Sequence, residues 1–272
     1  MCVAGWGLFL PAYGASDLPK ANISIISNVN SIGQGTDVIL GVRFKLPEGW
    51  ETYWRTPGEA GYPARFNWTG SDNLQQADVL WPWPQRVKSN DLISNVYEKE
   101  VIFPVKISLK DKQKPLSIKL HLDYLLCQPG SCVPVQQKLD FILPAGEGKA
   151  SENTQLMADA MKQIPHESNS ASLSLDSLKL VGLNGDGAQL RIQVNAPNGL
   201  SDSTLFVEGV EGLQFNVPTL TLQSNNKGYF NFTVKKSDAG TSVSLEELLR
   251  RPLILTLVHD KNAIAVSRTP EK

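Results

Sequence analysis

The sequence predicts an all-β chain, two β-sandwiches in tandem joined by a short helix and linker. Three observations carry that prediction. Apolar residues recur at every second position in segment after segment, as in Val38, Leu40, Val42, Phe44 and Leu46, or Leu190, Ile192 and Val194. That is the period of a strand with one buried face. Turn-forming clusters such as Asn184-Gly-Asp-Gly and Asn225-Asn-Lys-Gly separate the later segments at sandwich-like intervals. A Gly- and polar-rich break after Pro144 divides the pattern in two. The 272 residues exceed one ordinary domain, and a hydrophobic content of 41% supplies two cores without help from disulfides.

Residues 1–18 stand apart as an export-signal remnant or a disordered start. MCVAGWGLFLPAYGAS has a short apolar core, Val3 to Leu10, and ends in small residues, although no basic stretch precedes it. Cys2 belongs to this segment. Residues 19–146 form the first expected domain. Ile23 and Ile25 open a strand, and Val38 to Leu46 form the next. The run from Glu48 to Pro63 is dense in aromatics and turn formers, including Trp50, Tyr53, Trp54, Gly58 and Gly61. It reads either as a long connection capping a core edge or as the wall of a pocket. Val79 to Trp81 leads into Trp81-Pro-Trp83-Pro84, which cannot continue a ladder because Pro lacks the donor and extends its neighbour. Residues 81–91 are therefore expected as a loop with apolar side chains free to cover something. Val101, Phe103, Val105, Ile107 and Leu109 make a strong strand, with Pro104 suggesting an edge or bulge.

The stretch to which the rest answers comes next. Ile118, Leu120, Leu122 and Tyr124 alternate with Lys119, His121 and Asp123, and Leu139, Phe141 and Leu143 alternate on the return. Between them lies Cys127-Gln-Pro-Gly-Ser-Cys132, whose Pro129-Gly130 suits the central positions of a type II turn. The two cysteines then face each other across a hairpin, within disulfide range. So short a loop makes the bond worth roughly 2 kcal/mol or less. A structural staple and an exchangeable pair both remain open on these residues alone.

Residues 147–170 are expected to be a helix and linker. Ser151 is the expected cap, Leu156, Ala160 and Ile164 share a face, and Pro165 stops the helix. Residues 171–268 are the second sandwich, with strands at Leu173/Leu175, Leu190/Ile192/Val194, Leu205/Val207, Leu213/Phe215/Val217, Phe230/Phe232/Val234 and Leu253/Leu255/Leu257. Ser244 to Arg251 reads as one or two helical turns.

Other chemistry is thin. A net charge of −1 with scattered Lys and Arg offers no field for nucleic acid. No run approaches the roughly 20 apolar residues of a membrane span. His121, His166 and His259 are far apart in sequence; His121 reads as a solvated strand residue, with a Cys/Cys/His metal site as the alternative. Three methionines make no soft copper-binding cluster. No phosphate loop, serine nucleophile elbow or carboxylate dyad stands out.

Several motifs occur together in a set order. Gly49-Trp50-x-x-Tyr53-Trp54-Arg55-x-Pro57-Gly58 comes first, then Trp81-Pro82-x-Pro84 and Tyr97-Glu-Lys-Glu-Val101-Ile-Phe-Pro104-Val105. Tyr124-Leu-x-Cys127 and Cys132-Val-Pro134 complete the series. Residues 20–145 thereby resemble the N-terminal periplasmic domain of DsbD-type transmembrane thiol:disulfide reductases, with the ScsB (suppression of copper sensitivity) branch the nearer likeness. The resemblance implies an immunoglobulin-like fold in the periplasm and a redox-active disulfide as the sole cofactor, with no metal. It implies a relay that takes electrons from the thioredoxin-like and transmembrane domains of a parent reductase and passes them to thioredoxin-fold partners. Copper tolerance and cytochrome c biogenesis are the associated processes. By the same resemblance, Cys132 forms the mixed disulfide and Cys127 resolves it. A cap over the pair is expected from Trp81, Trp83, Val87 and Leu92, with Tyr53, Trp54 and Tyr124 lining the pocket. The competing expectations are a non-enzymatic exported sandwich with a structural disulfide, and a copper-binding protein using His121.

Overall fold

A computed structural model describes residues 19–272 except 36, 90, 171, 185–186, 198, 210 and 237–243. The apolar start with Cys2 lies outside the described residues. In chain order the first half contains β1 (Asn22–Ser27), β2 (Val38–Lys45), β3 (Glu51–Gly58), β4 (Arg65–Asn67) and β5 (Leu74–Val79). It continues with β6 (Gln85–Ser89), β7 (Leu92–Glu98), β8 (Glu100–Leu109), β9 (Leu116–Gln128) and β10 (Ser131–Leu143). After α1 (Thr154–Lys162) come β11 (Ser174–Asn184), β12 (Gly187–Asn195), β13 (Thr204–Glu208), β14 (Leu213–Phe215), β15 (Thr219–Leu222) and β16 (Lys227–Lys236). The chain ends in α2 (Leu245–Leu248), β17 (Leu253–His259) and β18 (Asn262–Arg268).

The fold is all-β and immunoglobulin-like. One sheet runs β1-β2-β8-β5 and the facing one β10-β9-β3-β7-β6, with β4 beside β9. The alternating residues meet between them: Leu40, Val42, Phe44, Phe103, Ile118, Leu120 and Tyr124 are each fully buried. The rings of Phe103 and Tyr124 both stand edge-on to Phe44, with centroids 5.3 Å away. The buried Tyr124 hydroxyl donates to Gln137 Oε1 at 2.6 Å and accepts from Ala21 N at 3.2 Å, as a buried phenol requires. The second half sets β11-β12-β16-β14, with β15 also on β16, against β13-β17-β18. Leu175, Leu190, Ile192, Phe232 and Leu255 lie in its core.

Several local expectations change. Pro104 sits on β8, an inner strand between β2 and β5. Its carbonyl accepts from Leu80 N at 2.7 Å, one residue beyond the end of β5, so its missing donor falls where that ladder stops. Residues 85–98 form a hairpin, β6 on β7, where a loop was expected after the Trp-Pro steps. Ser151 does not cap α1: Asn153 is the N-cap, and Ser151 ties the chain to Ser27 O instead. Val217 lies outside any strand, and β15 and β18 were not read from the pattern.

Phe206 shows how the halves meet. Leu205 and Val207 point into the second core, so Phe206 must point away from it. That direction is the first sandwich, where Phe206 is only 2% exposed and lies 5.4 Å from the Trp54 ring. Arg86 covers its face at 4.6 Å and donates from Nη2 to Leu205 O at 2.7 Å. Burial pushes the Arg86 pKa down to about 10. Arg55 forks onto Glu208 with Nε and Nη2 at 2.8 and 2.7 Å, and Thr56 donates to the same carboxylate at 2.9 Å.

Candidate functional site

The longest hairpin in the fold carries the cysteines. β9 and β10 pair without a register break from Leu116↔Leu143 to Gln128↔Ser131, leaving Pro129-Gly130 as the turn. Gly130 has φ 81°, which a type II turn demands at its third position and only glycine adopts cheaply. Cys127 and Cys132 are register partners joined as a disulfide, with Cα atoms 4.1 Å apart. Their surroundings differ. β10 is the edge of its sheet, and Cys132 is exposed. β9 is covered on its other side by β3, where Glu51 pairs with Cys127, and Cys127 is 3% exposed. One sulfur is thus offered to solvent and the other is held behind it.

Strand parity explains what covers Cys127. Tyr53 and Val96 pair across β3 and β7, Leu125 lies two residues before Cys127 on the same face, and the four form one buried cluster. Tyr62 and Val87 pack against it. The loop after β3 closes over Tyr53: Gly61, at φ 83°, lies so close that a Cβ there would run into the Tyr53 ring. Glu59 N donates to Ile93 O at 2.9 Å and Ile93 N to Glu59 Oε2 at 2.6 Å, fastening that loop to the β6–β7 hairpin.

Of the residues expected around the pair, the structure brings together Tyr53 and Val87. Trp54 and Tyr124 lie on the opposite face of the sheet, in the sandwich core. Trp81 packs edge-on to Phe103 at 5.0 Å and Phe66 at 6.1 Å, closing the core edge. Trp83 lines the cleft between the halves with Phe206 and Gln163. Leu92 is 47% exposed at the start of β7. Sequence reasoning missed Leu125 and Val96, and reached Gly61 and Tyr62 only within the Glu48–Pro63 run read as a core cap or a pocket wall; counting back two positions from Cys127 would have found Leu125. A Gly61→Ala substitution forces a side chain into the left-handed region and against Tyr53. It is expected to cost about 1–3 kcal/mol and to speed alkylation of reduced Cys127, checked by melting curves and iodoacetamide kinetics.

Electrostatics add a second asymmetry. Burial, and then the charge of Glu98, push the Glu51 carboxyl above the usual carboxylate range. Burial and then Glu51 raise the Tyr53 phenol. Asp123, four residues before Cys127 on the same strand, accepts from the Tyr62 hydroxyl at 3.4 Å. A carboxyl raised in the fold opposes folding when it ionises. Glu51→Gln is therefore expected to raise the melting temperature at pH 7. The gain should be absent below the ordinary carboxylate range and grow as pH rises through the raised value; melting curves at pH 4 and pH 7 check it.

His121 is exposed, six residues or roughly 20 Å of strand from Cys127. Among the described residues no group of three or more His, Cys, Asp or Glu is placed to hold a metal ion. Among them, too, no helix is long and apolar enough to cross a membrane.

Comparison with known proteins agrees with this geometry. Residues 25–144 match the family described as thiol:disulfide interchange protein DsbD, N-terminal. Residues 163–272 match a domain of unknown function, DUF8393. A search of curated proteins finds no significant match. Among solved structures, the N-terminal periplasmic domain of ScsB from Proteus mirabilis superposes with a TM-score of 0.71 at 20% identity, covering 96% of this chain and 97% of that one. Residues 25–144 are thus similar to the N-terminal domain of the DsbD thiol:disulfide interchange family, and the chain has the fold of the ScsB N-terminal periplasmic domain.

Proposed function

We propose that the chain is a periplasmic relay for reducing equivalents, working through Cys127 and Cys132 and needing no cofactor beyond that pair. The observation that carries this reading is the exposed Cys132 sulfur bonded to a buried Cys127. Exchange requires in-line approach to one sulfur, and only Cys132 offers it. An incoming dithiol of a thioredoxin-fold domain attacks Cys132 Sγ, the Cys127 sulfur leaves, and the donor's second thiol breaks the mixed disulfide. Two electrons pass to the pair, and the donor leaves oxidised. In the forward direction, reduced Cys132 attacks the disulfide of a thioredoxin-fold acceptor and Cys127 resolves the complex. The upstream donor is the thioredoxin-like part of a membrane-embedded parent reductase.

The cover over Cys127 supports selectivity for docked proteins over small oxidants, because Tyr62, Val87 and the Gly61 loop must be pushed aside to reach the resolving sulfur. Trapping tests the assignment. Cys127→Ser, incubated in periplasmic extract, should accumulate mixed disulfides with proteins bearing thioredoxin-type Cys-x-x-Cys sites, while Cys132→Ser should not. Equal trapping by both variants, or none by either, contradicts it.

A further inference from the structure

Four side chains form one row across the sheet that carries the disulfide. Cys132 pairs with Cys127, Cys127 with Glu51, and Glu51 with Glu98. Residues paired across strands share a face, with Cβ atoms about 4.5–5.5 Å apart. Glu51 therefore flanks Cys127 on the side away from Cys132. Glu98 faces this carboxyl from β7, Tyr53 from its own strand, the neutral Leu125 and Cys127 from β9, and Cys132 from beyond. Arg55, further along β3, is held by Glu208.

The chemistry of the relay leaves a proton unplaced. When Cys132 is attacked, the Cys127 sulfur departs with the electron pair into a site that is 3% exposed and walled by Tyr53, Val96 and Leu125. A bare thiolate is disfavoured in such surroundings, and water has little access to protonate it. Glu51 is half-buried; burial and the like charge of Glu98 both favour its neutral, proton-bearing form.

We propose that Glu51 exchanges a proton with the Cys127 sulfur, as acid when the disulfide opens and as base when Cys127 resolves the mixed disulfide. This rests on the relay reading above. On opening, the partner thiolate forms a bond to Cys132 Sγ, the Cys132–Cys127 bond breaks, and the Glu51 proton passes to Cys127. The products are a partner–Cys132 disulfide, a neutral Cys127 thiol and a Glu51 carboxylate. In reverse, the carboxylate takes the Cys127 proton, Cys127 attacks Cys132 Sγ, and the partner leaves as its thiolate. Burial, and then the like charge of Glu98, hold the carboxyl above the ordinary carboxylate range. An ionised Glu51 would repel the departing thiolate and slow opening.

The test uses the full chain and dithiothreitol as reductant from pH 4 to 9, with opening rates divided by the thiolate present. The wild-type rate should fall about tenfold as pH rises through the Glu51 ionisation, a modest factor because thiolates leave readily unaided. Glu51→Gln should be flat with pH and slower than the low-pH wild-type limb, since the amide neither donates the proton nor repels the thiolate. Glu98→Gln should keep the fall but move it to lower pH. In a Cys132→Ser background, 240 nm absorbance should show a lower Cys127 pKa when Glu51→Gln is added. A Glu51→Gln profile identical to wild type, or an unchanged Cys127 pKa, overturns the proposal. Failure of the relay itself reads differently: a thioredoxin-fold dithiol protein would not reduce the wild-type pair that dithiothreitol opens.

Discussion

Cys132→Ser is expected to abolish exchange with every thioredoxin-fold partner while leaving the sandwich folded. The exposed Cys132 is the point at which a partner can bond, because Cys127 lies buried behind it. Loss to background in a coupled insulin-type reduction assay is the expected result. The thermal cost should be small. The bond closes a loop of only a few residues and joins strands already paired over 13 register positions, so its removal costs about 2 kcal/mol at most, a shift of a few degrees. Cys127→Ser should keep the attacking thiol, react once, and stop at the mixed disulfide. A variant lacking Cys132 that still turns over, or that melts far below wild type, would return the pair to the role of a brace.

The largest stability effect is expected at Phe206. Its ring belongs by sequence to the second half and by contact to the first, between Trp54 and the Arg86 guanidinium. Phe206→Ala removes a ring that is 2% exposed, a change that costs about 3–5 kcal/mol in well-packed cores. The loss should fall on the docking of the two halves, leaving Arg86 without its aromatic face. Calorimetry should resolve two transitions in the variant where the parent shows one. A single unshifted transition would mean that the contact carries little energy.

Much of this fold is legible because a half-buried strand writes its period into the chain. Leu40, Val42, Phe44 and the run from Ile118 to Tyr124 are buried as their alternation demands. The cysteine hairpin was legible for the same reason, reinforced by a turn that needs glycine. Alternation says which face a residue takes, however, and not what lies beyond that face. Phe206 was outward by parity, and outward proved to be the other sandwich. Trp54 and Tyr124 resembled pocket residues because they adjoin the motif, yet parity places them on the core face. Trp81 and Trp83 were drawn toward the pair by their apolar bulk, which Phe66, Phe103 and the inter-sandwich cleft absorb. Glu51 was invisible as a functional residue because its pairing with Cys127 joins strands more than 70 positions apart, and no local pattern reports such a register.

The reduction potential of the Cys127–Cys132 pair, measured against glutathione or thioredoxin couples, tests the relay most directly. A pair that hands electrons between thioredoxin-fold proteins must sit within their range, about −270 to −120 mV. A value in that window is expected. A value well below about −300 mV, the territory of structural disulfides, would contradict it.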